Sequence, residues 1–150
     1  MPSMVEFLPV TPSIDQLSRI IANVAAPAFL LGAVAAFISV LMSRINRVID
    51  RSQFLHSIDN DDKSRLYLKE DIPRLQRRAS LLNRSLLCAI ISAILTSLII
   101  IVAFVSAMFS VAHEFGVAVL FIGSLVLFCI SLIDLAREAR IALHENDLRM

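Results

Sequence analysis

Charged residues are absent from three long blocks of this chain, residues 20–43, 85–112 and 115–133, and crowd into the segments between and after them. The first block holds 24 residues, which at the helical rise cover ~36 Å against a hydrocarbon core of ~30 Å. Each block predicts a transmembrane helix. Little more than His113-Glu114 separates the second from the third, so those two helices form a tight antiparallel hairpin. Inside the polar segment 44–84 a finer pattern appears. Leu41, Ile45, Val48, Ser52 and Leu55 follow one another at spacings of 4, 3, 4 and 3, the stripe of a helix that runs past the membrane, broken only by Ser52. Ile72, Leu75, Ala79, Leu82 and Leu86 repeat the alternation on the way back, after Asp71 as cap and Pro73 near the first turn. With Asp59-Asn60-Asp61-Asp62 as the turn, the two stripes predict an antiparallel stalk of ~20 Å. Residues 63 to 71 add a short surface helix, and Thr11-Pro12-Ser13 marks the start of the first helix, Ser13 standing three before Gln16 in capping-box spacing. The expected fold is therefore an all-α integral membrane protein. One membrane domain, 1–150, contains three transmembrane helices, the cytoplasmic helical loop 44–84 and the cytoplasmic tail 134–150.

Composition agrees, since hydrophobic residues make up 57% of the 150, too many for a water-facing surface. Charge adds a direction. Of fourteen Lys and Arg, ten lie in 44–84 and three in the tail, leaving only Arg19 on the other side. The positive-inside rule places loop and tail in the cytoplasm and the amino terminus outside. The formal net charge of +1 gives no reason to expect nucleic acid as a partner. Cys88 and Cys129 each lie in an apolar block, which excludes a disulfide framework and a four-thiolate metal site. The apolar run after Arg19 reads as a retained helix, not a cleaved signal, because Glu6 and Asp15 precede it where a basic start belongs.

At the root of the stalk two segments echo one another, Arg44-Ile45-Asn46-Arg47-Val48-Ile49-Asp50-Arg51 leaving the membrane and Arg77-Arg78-Ala79-Ser80-Leu81-Leu82-Asn83-Arg84 returning. Asn46 and Asn83 are placed to hydrogen-bond across the hairpin, with Asp50 balancing an arginine. One reading makes the arginines boundary anchors on anionic lipid head groups; the other makes them a basic ring at the mouth of an oligomer. Asp134, at the end of the third block, calls for a basic partner, with Arg137, Arg47 and Arg84 as candidates. It reads as an ion pair fixing helix depth or as part of a proton or cation relay, though further acids for a relay are lacking.

These residues carry a family resemblance. Ile-Ala-Asn-Val-Ala-Ala-Pro-Ala-Phe-Leu-Leu-Gly-Ala at 21–33, Asn-Arg-Val-Ile-Asp-Arg at 46–51 and Arg-Arg-Ala-Ser-Leu-Leu-Asn-Arg at 77–84 resemble the bacterial membrane family known as domain of unknown function 2721, over residues 15 to 143. The resemblance implies a small helical membrane protein of the bacterial inner membrane and no particular activity.

Within the first helix Asn23 stands four residues before Pro27, whose ring frees the Asn23 carbonyl. The result is a polar notch, either closed by Ser or Thr of a neighbouring helix or serving as a small polar site. Ala28, Gly32 and Ala36 form a small-xxx-small packing face. Gly116, Gly123, Ser92, Thr96 and Ser97 offer further close contacts, more than one copy needs, so a homo-oligomer is expected. No phosphate loop, His-Glu-x-x-His motif or nucleophile elbow is present, and His113-Glu114, His56 and His144 read as surface residues. The expectation is a self-associating structural or interaction module, without catalytic residues, cofactor or metal, whose stalk can meet a cytoplasmic protein. The alternative is an oligomeric ion or small-solute channel lined by Asn23 and the Ser/Thr positions, with arginines at its mouth.

Overall fold

The computed structural model describes residues 14–58, 66–109 and 114–147. Four helical elements follow one another there: α1 (Ile14–His56), a 3-10 turn (Leu66–Asp71), α2 (Ile72–Phe109) and α3 (Glu114–Asp147). No strand occurs among the described residues. All three α-helices are long and apolar enough to cross a membrane. They do not stop where the apolar blocks stop. The first runs on through Arg44 to His56, where Ser57 donates its amide to the Gln53 carbonyl and its hydroxyl to that of Phe54. The second begins directly after Asp71, in the position expected of a cap. The third passes Asp134 without a break and makes most of the tail helical. The start signal at 11–13 and the turn at 59–62 lie outside the described residues.

Burial explains why the helices continue. On α1 the buried positions Pro27, Val34, Leu41, Val48 and Leu55 are each seven apart. Two seven-residue series share α2, Leu75, Leu82, Ala89 and Thr96 on one line and Ser85, Ser92 and Ile99 on the next. Ser124, Ser131 and Glu138 form the series of α3. A step of seven held this long keeps one line of each helix facing its neighbour through a left-handed supercoil. The apolar core runs along these lines from Val34 to Leu55 and from Leu75 to Ala89, closed at its far end by Ile58 and Leu68.

Central in this arrangement is α2, which packs along both α1 and α3, while α1 and α3 meet little. One of their contacts is a T-shaped pair, Phe37 on Phe128, with ring centroids 5.4 Å apart at 89°. Outward positions of the charge-free blocks, among them Phe29, Ile94, Ile101, Ile122 and Val126, are exposed. Such a surface is stable against lipid rather than water.

The stripes predicted for the stalk are buried at Leu41, Val48 and Leu55 and at Leu75 and Leu82, with Ile45, Ser52, Ile72 and Leu86 half-buried. Ala79 is a correction: it is exposed, and its neighbour Arg78 turns inward instead. A stripe alternating by threes and fours leaves one residue of freedom, and the burial of a guanidinium against a carboxylate settles it here.

Candidate functional site

Two carboxylates one turn apart on α3, Asp134 and Glu138, have 1% and 0% of their surfaces exposed. Buried carboxylates are stable only when paired and hydrogen-bonded. Glu138 is held from both neighbouring helices. Arg44 of α1 donates from Nη1 to Oε2 at 3.0 Å, and Arg78 of α2 donates from Nε to Oε1 at 2.9 Å with its Nη2 2.8 Å from the same oxygen. One carboxylate thus joins all three helices. Charge-assisted bonds of this length and multiplicity are the strong class.

Asp134 is held more loosely. Arg84 Nε is 3.2 Å from Oδ2 and Arg137 Nη1 is 3.8 Å from Oδ1, both side chains being more than half exposed. The Arg84 contact lies within ion-pairing distance yet off the hydrogen-bond direction, and Oδ2 is left without a hydrogen bond. Arg47, the third candidate partner, is exposed. With both arginines largely in water, these pairs hold Asp134 less firmly than the Glu138 bridge holds its partners.

Above these carboxylates the α2–α3 seam is polar in register. Ser85 and Ser131 each donate a hydroxyl to the other's backbone carbonyl, at 2.8 and 2.6 Å. Seven residues on along α2 and seven back along α3, Ser92 and Ser124 repeat the exchange at 2.9 and 3.0 Å. Thr96 caps this rung, 2.6 Å from the Ser124 hydroxyl. Arg78 and Glu138 are the next rung in the other direction, seven before Ser85 and seven after Ser131. Small hydroxyl residues let two backbones approach closely, and each of the four serines donates to a carbonyl of the partner helix. The ladder and the ion pair therefore fix one register between α2 and α3.

Of the expected boundary network, Arg84 and Arg137 reach Asp134 and Arg78 goes instead to Glu138, while Asn46, Arg47, Asp50 and Asn83 are exposed. The expected Asn46–Asn83 bridge is corrected: neither faces the seam. Arg44 and Glu138 were not singled out as site residues by sequence reasoning. A signal existed, since Glu138 continues the seven-residue spacing of Ser124 and Ser131 as Arg78 continues that of Ser92 and Ser85.

The notch divides, with Pro27 buried and Asn23 exposed, so the amide does not point into the protein. Ala28, Gly32 and Ala36 are all exposed, and a side chain added at Gly32, Gly116 or Gly123 would meet nothing within 4 Å. These small residues do not serve packing within one copy. Ser97 bonds back to the Ala93 carbonyl of its own helix at 2.9 Å. Cys88 and Cys129 are free thiols. The His56 ring lies 2.8 Å from the Ser52 carbonyl at the helix end; His113 and the side chain of His144 are outside the described residues.

A family model described as a protein of unknown function, DUF2721, matches residues 24–148, a span that includes every residue of the ladder and both carboxylates. No curated protein and no solved structure matches the chain.

Proposed function

We propose that this chain, which belongs to the DUF2721 family of proteins of unknown function, is a multi-pass membrane scaffold that self-associates through α1 and presents a charged helical stalk to the cytoplasm. The observation that carries this reading is the exposed Ala28-Gly32-Ala36 face. Burial on α1 follows Pro27, Val34 and Leu41, a different face, so the small-residue ladder is left for a second copy. Backbones of two such helices can approach closely there, gaining dispersion contacts that lipid chains do not supply. The distribution of Lys and Arg supports an outside amino terminus and an inside carboxyl terminus in a bacterial inner membrane. Exposed Ile49 and Phe54 on the stalk support its use as a recognition surface for a cytoplasmic protein.

A channel draws less support. The inward Ser and Thr hydroxyls are spent on one another or on backbone carbonyls across a closed seam, leaving Asn23 as the apolar blocks' outward-facing amide. Native mass spectrometry from mild detergent tests the scaffold reading. Wild-type protein is expected as two or more copies and Gly32→Leu as one; a wild type that flies as a single copy overturns self-association. An ion flux in proteoliposomes that disappears in Asn23→Leu would replace the scaffold with a conduit.

A further inference from the structure

A basic groove runs along the outside of the α2–α3 pair, just beyond the apolar blocks. It is open, encloses about 640 Å³, and is lined by Arg77, Ser80 and Leu81 of α2 and by Arg137, Arg140 and Ile141 of α3. The Arg78–Glu138 rung sets α2 and α3 side by side at this level, which is why Arg77 comes opposite Arg137 and Arg140. Among the described residues no acid lines the groove. Among the described residues the two carboxylates at this level are buried in the seam, Glu138 on Arg44 and Arg78, and Asp134 reaching Arg137 only at 3.8 Å. Arg77 and Arg140 make no ion pair among the described residues. Three guanidiniums with one distant partial neutraliser leave about two positive charges uncompensated, held close together by rigid helices.

Depth selects the ligand. Arg137 lies four residues past Ile133 and Arg140 seven, about 6 and 10 Å along the helix, which places the Arg137 backbone in the head-group layer and that of Arg140 a few ångströms outside it. Side chains of α3 lean toward its amino terminus and hence toward the apolar block. Leu81 and Ile141 give the groove an apolar wall beside its charges, a combination that suits an amphiphile better than a free ion. We propose that this groove binds a phospholipid whose head carries two phosphates, the phosphates on the three arginines and the glycerol along Leu81, which lies on the membrane side of Arg77. Guanidinium groups match phosphate oxygens in pairs, and basic pockets beside membrane helices favour such heads. The site rests on the membrane reading given above, and insertion is therefore measured separately.

The test is lipid retention by native mass spectrometry of the purified full chain offered diphosphatidylglycerol, phosphatidylglycerol or phosphatidylcholine. Wild type is expected to keep diphosphatidylglycerol in preference to the other two. Substituting Arg77→Gln, Arg137→Gln and Arg140→Gln together is expected to weaken that retention about a hundredfold, Arg140→Gln alone by less, and the exposed Arg19→Gln, at the opposite end of the apolar blocks, not at all. Undiminished retention in the triple variant, or equal retention of phosphatidylcholine by wild type, overturns the site. Displacement by excess inorganic phosphate overturns the lipid in favour of a soluble anion. Resistance of the triple variant to alkaline extraction reports insertion, so loss of the membrane reading and loss of the lipid site give different results.

Discussion

Glu138 is the residue on which the three helices depend together. Its carboxylate has no exposed surface and answers two arginines from two different helices. Removing one partner of a buried pair leaves the others uncompensated, at ~3–5 kcal/mol. Glu138→Gln is therefore expected to lower unfolding stability in detergent by about 3 kcal/mol, the lower end because Arg44 can turn to solvent. Asp134→Asn is expected to cost less than about 1 kcal/mol, because its partners Arg84 and Arg137 are mostly exposed. Equal losses for the two, read from denaturant midpoints, would show that burial and partner geometry do not rank these carboxylates. The serine rungs are smaller contributors. Ser131→Ala should cost about 0.6 kcal/mol, the usual value for a hydrogen bond between membrane helices.

At the scale of the element, continuity is the main finding. Each helix crosses from a charge-free block into a charged segment without interruption, because its buried line continues at a constant seven-residue step. Leu55, near the far end of α1, is fully buried although it lies twelve residues past the end of the first apolar block. Leu55→Ala is expected to cost about 2–5 kcal/mol, and to expose the stalk to proteolysis while the apolar blocks stay protected. Cleavage kinetics no faster than wild type would mean that the extension is not held by this core. Much of this was legible in sequence: the three blocks and the stripes through Leu41, Val48 and Leu55 follow from periodicity alone, and Asp71 marked where α2 begins. The inward turn of Arg78 was harder to read, since Ala79 fits an apolar stripe equally well and only the seven-residue line through Ser85 and Ser92, matched by Glu138 on α3, decides between them. Asn46 and Asn83 misled for a related reason. Equal depth on two helices does not place two side chains on facing sides, and their helical angle turns both outward.

For the whole molecule, the structure separates what holds one copy together from what is left over. The heptad lines, the serine ladder and the Arg44–Glu138–Arg78 bridge lie inside. Left outside are a lipid-compatible apolar belt, the groove of Arg77, Arg137 and Arg140, and the small-residue face of α1. Sequence showed that Ala28, Gly32 and Ala36 permit close approach; their exposure shows that α2 and α3 do not make it. Self-association through that face is the central claim, and cysteine cross-linking in native membranes tests it most directly. In a background with Cys88→Ser and Cys129→Ser, single substitutions Ala28→Cys, Gly32→Cys and Ala36→Cys are expected to form disulfide-linked dimers on mild oxidation, while Val34→Cys and Leu41→Cys are not. Cross-linking at Val34 and Leu41 with none at 28, 32 and 36, or no cross-linking at any of the five, would contradict the account.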